Sequence, residues 1–304
     1  MAVSMSQAQA QAQTQAQAQA QAQAQTQAQT QAHFGFQAEV TGQGDPIIFI
    51  PGLISGGDVW DETIAYFSDQ YECHVLTLPG YAGIPAQEEA PYLESWKKDI
   101  VRYIQDRKME SVTLAGHSLG GFLSLWIASG NIPELNQIIV LDALPFLAAA
   151  FNPDDEPGLS DEDALQYMNS FSGYEQEQIQ SMRMMVARGM TNDSTRWEQL
   201  TKWAMASDLK TEAYSATEMM GMDLRESISN ISVPVLVIGA YQENPQFPEY
   251  TLDNMRQTYM AQYQTVPNLR FEVAEGAKHF IMFDKPDQMH RMMYDFLQEA
   301  HVTE

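Results

Sequence analysis

The chain has 304 residues, of which 44% are hydrophobic, and it carries 40 acidic against 16 basic side chains, for a formal charge of −24. The length allows one large domain or two small ones. The acidic balance argues against nucleic acid and anionic membrane surfaces as partners, and no run approaches the roughly 20 apolar residues of a membrane span. The single cysteine, Cys73, has no partner for an internal disulfide, so it does not decide the redox compartment.

The N-terminal segment has a composition unlike the rest of the chain. Gln and Ala alternate from residue 7 to residue 32, interrupted only by threonines. Because such a tract has no apolar face to bury, we predict that residues 1–32 form a disordered tail. Residues 8–10, Ala-Gln-Ala, match the small-x-small cleavage site of a secretory signal, but the basic start and most of the apolar core of a signal are missing. The sequence is therefore compatible with either a cytoplasmic or an exported protein.

After this tail, short β-type runs alternate with amphipathic segments of helical length. The runs that predict strands are, in chain order, residues 46–50, 72–78, 111–115, 137–143, 234–240 and 269–276. Helical spacing of apolar residues is found over residues 59–70, 92–108, 118–130 and 286–300. The strands are continuously apolar rather than alternating. This pattern predicts an α/β fold with a mostly parallel sheet and helices on both faces.

The alternation of strands and helices stops between Pro145 and Ser232. The stretch between them is helical, acidic and rich in Met, as in "SMRMMVARGM". It predicts a helical insertion, residues 145–232, within a core formed by residues 33–144 and 233–304. Met adapts to varied apolar surfaces, so these side chains can pack within the insertion, line a substrate cavity, or do both.

One short motif suggests chemistry. Residues 115–121 read "AGHSLGG" and contain Gly-x-Ser-x-Gly, a weak signal alone that here follows a predicted strand and opens a predicted helix. The glycines suit a tight turn that larger side chains would block, and the N-terminus of the helix adds positive potential beside the serine. A serine also needs a base to take its proton before it can attack. This strand–turn–helix context predicts that Ser118 is a nucleophile.

Four motifs together resemble the α/β-hydrolase fold family, from about residue 34 to the C-terminus. They are, in order, "IPGLISG", "LPGYAG", "AGHSLGG" and "AKHFIMFDKP". The resemblance implies a serine hydrolase with a helical lid. It also implies that His279, after the last predicted strand, is the base, and that the backbone N–H groups of Leu53 and Leu119 form the oxyanion hole.

The acid that would orient His279 is less clearly marked. Family members commonly carry an Asp soon after the strand that corresponds to residues 234–239, but here the sequence reads "GAYQENP". Two carboxylates could replace it. Asp142 ends the strand "QIIVLD", where some relatives carry their acid, and Glu243 lies one residue beyond the usual position. We favour Asp142, with Glu243 as the alternative.

These residues together predict hydrolysis of an apolar ester or lactone through a Ser-His-Asp triad and an acyl-enzyme. We expect no cofactor and no metal, because neither a cluster of metal ligands nor a glycine-rich phosphate loop stands out. Fold alone does not select the chemistry, so C–C bond cleavage, peptide hydrolysis and perhydrolysis stay open. A slow-turnover binding protein or receptor on the same scaffold is a further alternative. The sequence indicates neither the natural substrate nor the oligomeric state.

Overall fold

Seven strands form one sheet in a computed structural model that describes residues 34–150, 157–158, 160–246 and 248–301. The predicted tail, residues 1–32, lies outside the described residues. The order across the sheet is β1-β3-β2-β4-β5-β6-β7. The strands are β1 (Gln37–Thr41), β2 (Asp45–Ile50), β3 (Tyr71–Thr77), β4 (Val112–His117), β5 (Leu135–Leu141), β6 (Val235–Tyr241) and β7 (Leu269–Glu275).

The sheet is parallel except at one edge, where β1 pairs antiparallel with β3. This confirms the mostly parallel sheet predicted from the sequence. The six predicted strands are all present, with ends shifted by at most two residues. The sequence did not predict β1, because its residues, "QAEVT", continue the polar and apolar alternation of the preceding Gln/Ala tract.

Helices cover the sheet and also fill the segment between β5 and β6. The helices outside that segment are α1 (Asp61–Phe67), α2 (Tyr92–Asp106), α3 (Leu119–Ala128), α8 (Leu252–Gln262), α9 (Ile281–Asp284) and α10 (Pro286–His301). Those between β5 and β6 are α4 (Asp161–Asn169), α5 (Gln176–Met190), α6 (Trp197–Ala206) and α7 (Leu209–Gly221). In the described part of the chain, no helix is both long enough and apolar enough to span a membrane.

Two hydrophobic cores lie on the two faces of the sheet. Because successive side chains of a strand point to opposite faces, Ile138 and Val140 of β5 enter one core while Ile139 and Leu141 enter the other. The first core also contains buried residues of α2, α3 and α8, and the second contains those of α1 and α10. Strands buried on both faces explain the continuous apolar runs in the sequence.

The parallel strands end at the same edge of the sheet. The loops that follow β2, β4, β5 and β7 therefore begin close together, as expected for ligand sites in open α/β sheets. These loops carry Leu53, Ser118, Asp142 and His279, respectively. The fold thus brings together residues that are far apart in the sequence.

Candidate active site

Ser118 lies at a strained turn between β4 and α3. Its backbone has φ +52° and ψ −118°, a conformation that non-glycine residues rarely adopt. Close packing explains the two glycines of the motif: a Cβ on Gly116 would lie 2.1 Å from the carbonyl oxygen of Gly120, and one on Gly120 would lie 2.1 Å from that of Ile50. The Ser118 N–H donates to the Leu141 carbonyl at 2.9 Å, which ties the turn to β5.

The two N–H groups predicted for the oxyanion hole belong to elements that meet at Ser118. Leu119 is the first residue of α3, so its N–H has no acceptor within that helix. The loop after β2 lies against the same turn: a Cβ on Gly52 would be 3.2 Å from the Cβ of Ser118. Leu53, the next residue, lines a cavity together with Ser118. Donation to an oxyanion by these groups stays a prediction.

His279 and Asp142 form a close pair at the ends of β7 and β5. The His279 Nδ1–H donates to Asp142 Oδ2 at 2.7 Å. Their side chains are 29% and 16% exposed, respectively, so the pair is largely shielded from water. Glu243, the alternative acid, is exposed and is not among the residues that line the cavity with His279. The geometry therefore places Asp142, and not Glu243, beside the imidazole.

Further hydrogen bonds fix the Asp142 carboxylate. Its Oδ1 accepts the N–H of Ala240 at 2.9 Å and the hydroxyl of Tyr259 at 2.7 Å. Burial alone would raise the pKa of Asp142. The hydrogen bond from His279 and the charge of His279, together with the hydrogen bonds from Ala240 and Tyr259, hold that pKa below its usual range. Burial and the nearby carboxylate raise the pKa of Tyr259, which therefore keeps its proton and donates it. Asp142 is thus held ionised and in one orientation.

Tyr259 was not recognised from the sequence. It lies in α8, a helix that was not predicted, and it is 117 residues from the carboxylate it contacts. No local motif marks it. Only the packing of α8 against the sheet brings its hydroxyl to Asp142.

His117, the residue before Ser118, connects the turn to the loop that carries His279. Its Nε2–H donates to the backbone carbonyl of His279 at 2.9 Å, and the two rings lie 4.5 Å apart. Burial and the neighbouring His279 lower the pKa of His117 to about 3, so its ring is neutral at physiological pH. His117 is therefore a buried structural contact.

Two further histidines, His74 and His290, lie outside the cavity wall. In β3, His74 Nδ1 is 2.9 Å from the Tyr103 hydroxyl, and in α10, His290 Nε2 is 3.2 Å from Thr63 Oγ1. Neither residue lines the cavity that contains Ser118. Across the described ranges, no group of three or more His, Cys, Asp or Glu side chains is arranged to hold a metal ion.

Ser118, His279 and Asp142 all line one cavity of about 470 Å³. Its apolar wall belongs to both cores: Leu144 and Met219 belong to the first, and Leu200 and Trp203 to the second. Helices α4–α7 supply ten of the lining residues, namely Tyr167, Arg183, Val186, Ala187, Met190, Leu200, Trp203, Ala204, Glu212 and Met219. The segment between β5 and β6 therefore forms a large part of the wall, and two of its methionines contribute.

A buried ion pair lies within this mostly apolar wall. The guanidinium of Arg183 in α5 binds the carboxylate of Glu212 in α7 through two bonds, Nη1 to Oε1 at 2.6 Å and Nη2 to Oε2 at 2.5 Å. The Tyr167 hydroxyl in α4 donates to the same Oε1 at 2.5 Å. The Arg183 and Glu212 side chains are only 11% and 2% exposed. Three helices of the segment are thus joined by one polar cluster, which the sequence did not reveal.

Asp284 joins the end of α5 to the loop that carries His279. Its carboxylate accepts the Thr191 hydroxyl at 2.6 Å, the Asn192 N–H at 2.8 Å and the Asn192 side-chain amide at 3.1 Å. It also accepts the N–H of Lys278, the residue before His279, at 2.8 Å. A single side chain therefore holds both segments.

Comparison with known proteins agrees with this fold. A family model described as the alpha/beta hydrolase family matches residues 47–291. The pimeloyl-[acyl-carrier protein] methyl ester esterase of Vibrio cholerae is 27% identical over 208 residues, 65% of this chain and 76% of that protein. The enzyme of the same name from Aeromonas hydrophila is 23% identical over 264 residues, 86% of this chain and 98% of that protein.

A solved structure, an esterase from Exiguobacterium antarcticum, has the same fold. It matches with a TM-score of 0.71 at 16% identity, covering 86% of this chain and 95% of that chain. The family match spans far more than half of the chain and includes the loops that carry Ser118, Asp142 and His279. The chain therefore belongs to the alpha/beta hydrolase family.

Proposed function

We propose that this protein hydrolyses a carboxylic ester or a lactone through Ser118, His279 and Asp142. The observation that carries the proposal is the 2.7 Å hydrogen bond between His279 Nδ1 and Asp142 Oδ2 in the wall of the cavity that Ser118 also lines. Supporting it, the similar proteins of Vibrio and Aeromonas are named as methyl ester esterases. The apolar wall favours a substrate with apolar acyl or alcohol groups.

In the first half of the reaction, His279 acts as a base. Because its Nδ1–H is bound to Asp142, its Nε2 lone pair is free to take the Ser118 hydroxyl proton. The Ser118 oxygen then attacks the carbonyl carbon, and the N–H groups of Leu53 and Leu119 stabilise the oxyanion. No hydrogen bond joins Ser118 and His279 among the described side chains, and such bonds often tighten only when substrate is bound.

In the second half, His279 acts as an acid and then again as a base. Its Nε2–H protonates the leaving oxygen, which departs as the alcohol, or stays attached to the acyl group if the substrate is a lactone. The acyl group is then an ester of Ser118. A water molecule, deprotonated by His279, attacks this ester. The carboxylic acid is released as the bond to the Ser118 oxygen breaks, and His279 returns the proton to that oxygen. Asp142 stabilises the imidazolium formed in each half without taking its proton.

The insertion, residues 145–232, would serve as the lid of this site, over a core made of residues 33–144 and 233–304. Support comes from the ten lining residues that helices α4–α7 contribute. A wall made by a separate segment of chain can exclude water from the acyl-enzyme and can shape the acyl pocket. We therefore expect the acyl-length preference to depend on lid residues such as Leu200 and Trp203.

Hydrolysis of p-nitrophenyl esters from acetate to decanoate tests the proposal. We expect the wild type to turn over many times and to show an optimum of acyl length. Ser118→Ala should lower kcat/KM by about 10⁴-fold or more, since the acyl-enzyme cannot form. Ser229→Ala, which changes an exposed serine, is the matched control and should retain wild-type rates.

The same assay separates the competing hypotheses. Equal rates in the wild type and Ser118→Ala would contradict nucleophilic catalysis by this serine. A single stoichiometric burst without further turnover would favour the slow binding protein or receptor. Multiple turnover that disappears in Ser118→Ala but not in Ser229→Ala would support the serine hydrolase.

A further inference from the structure

The positive charge of Arg183 in the cavity wall is already neutralised before any substrate enters. Arg183 is the only Lys or Arg among the described residues that line the cavity. Both of its terminal nitrogens are bound to the two carboxylate oxygens of Glu212, at 2.6 Å and 2.5 Å. Since both side chains are nearly buried, water screens this interaction little. The cation is therefore committed to a partner within the protein.

A substrate with a free carboxylate would find no cation available in this wall. It would leave water for an apolar surface without a counterion, which is strongly unfavourable. The Asp142 carboxylate lines the same cavity and would repel it, whereas the charge of Glu212 is offset by Arg183. A neutral ester encounters neither penalty, because it carries no charge and its apolar groups match the mostly apolar wall.

We propose that Glu212 is a specificity-determining residue, which neutralises Arg183 and restricts the site to esters or lactones that carry no free carboxylate. This inference rests on the proposed ester hydrolysis. It assigns to the ion pair a selective role in addition to joining α5 to α7. Tyr167 in α4 supports that role, because its hydroxyl donates a hydrogen bond to Glu212 Oε1 and so fixes the carboxylate beside Arg183.

Two matched substrates test the proposal, p-nitrophenyl hydrogen adipate and p-nitrophenyl methyl adipate. They share the scissile bond and the chain length, and they differ only in whether the far end is a carboxylate or its methyl ester. For the wild type we expect kcat/KM to be at least about 100-fold higher for the methyl ester. The corresponding suberate pair checks that the result does not depend on one chain length.

The variant Glu212→Gln should weaken this preference. It removes the negative charge and leaves the Arg183 guanidinium available to a substrate carboxylate. We expect the ratio of the two kcat/KM values to fall by at least about tenfold. Asp223→Asn is the matched control: it makes the same change of charge in the same segment, beside Arg225 and away from the cavity wall, and should leave the ratio unchanged.

Folding of the variant needs a separate check, since Glu212→Gln leaves a buried cation unpaired. If circular dichroism shows that it does not fold, Arg183→Lys/Glu212→Gln replaces it, because a buried lysine can lose its proton in the free enzyme and an arginine cannot. The lysine can take up a proton again beside a substrate carboxylate, so the ratio should fall in this variant too. If neither variant folds, the wild-type ratio can still contradict the proposal. Comparable wild-type rates on the free acid and its methyl ester would overturn it.

The outcomes also separate this proposal from the function on which it rests. If the wild type hydrolyses neither adipate ester and none of the simple esters, ester hydrolysis itself fails. If it hydrolyses both adipates equally well, ester hydrolysis stands and only the selective role of Glu212 is wrong. A folded Glu212→Gln that keeps the full wild-type ratio would also overturn that role.

Discussion

Two acid–base pairs lie in the wall of the same cavity, and they differ in what holds them. The Asp142 carboxylate, between the ends of β5 and β7, is bound by an imidazole, a backbone N–H and a tyrosine hydroxyl. The Glu212 carboxylate, in helix α7, is bound by a guanidinium and a tyrosine hydroxyl. The first pair belongs to the sheet, and the second belongs to the helices between β5 and β6.

The two basic side chains differ in what they allow each pair to do. An imidazole can both accept and release a proton, so the Asp142–His279 pair can take part in proton transfer. A guanidinium keeps its proton, so the Arg183–Glu212 pair can supply only charge and geometry. One pair is therefore suited to chemistry and the other to selection and to holding helices together.

The largest effect, a loss of catalytic rate, should come from a substitution in the Asp142–His279 pair. Asp142→Asn keeps the shape but removes the charge that orients His279, so we expect kcat on p-nitrophenyl esters to fall by about 10³- to 10⁴-fold. Glu243→Gln, at the exposed alternative position, should stay within about twofold of the wild type. The reverse result, a large loss in Glu243→Gln and a small one in Asp142→Asn, would assign the acid to Glu243.

We expect the Arg183–Glu212 pair to contribute more to the free energy of unfolding than the Asp142–His279 pair does. Glu212→Gln leaves the buried Arg183 without its partner, and we expect a loss of about 3 to 5 kcal/mol in the free energy of unfolding, measured in urea. The triple variant Tyr167→Phe/Arg183→Met/Glu212→Leu removes every polar group of the cluster and should recover most of that loss. If the triple variant does not recover stability, the attraction between Arg183 and Glu212 itself stabilises the helices. The absence of an unpaired buried charge would then not be sufficient.

His117 offers the smallest and most specific test, because it is a buried imidazole with no carboxylate bonded to it. Its folded-state pKa of about 3 lies below the ordinary value of 6.5. Between these values the unfolded chain binds a proton that the folded chain does not. The free energy of unfolding therefore falls by up to about 1.4 kcal/mol per pH unit on acidification.

His117→Gln should remove this contribution. Its unfolding free energy, measured in urea between pH 7 and pH 4, should depend less steeply on pH than that of the wild type. The difference in stability between the two proteins would then narrow as the pH falls. Parallel curves would show that the pKa of His117 is the same in the folded and the unfolded chain, and would contradict the lowering of that pKa by burial.

Much of the fold followed from local sequence patterns. Strands buried on both faces, such as β4 and β6, are almost continuously apolar and could be located for that reason. The run that became the edge strand β7 is only partly buried but was located as well. The edge strand β1 is short and half-exposed, so its alternation could not be distinguished from that of the preceding tract. Helix α8 was missed as well, although it delivers Tyr259 to the site.

The candidate site was only partly accessible from the sequence. Ser118 and His279 stand in motifs, and Asp142 could be proposed because it ends a predicted strand. Partners such as Tyr259 and Asp142, or Arg183 and Glu212, lie far apart in the chain and meet only through packing. A single sequence carries no local pattern for such side-chain contacts, so only the structure reveals them.

Four of the hydrogen bonds to the Asp284 carboxylate have a consequence for engineering. They tie residues 191–192, which follow α5, to Lys278, and so to the loop that carries His279. The helical segment is therefore not an independent module, because this end is joined by hydrogen bonds to the loop that carries His279. A chimera that exchanges the helices for those of a relative must keep this junction, or it will shift the imidazole as well as the pocket.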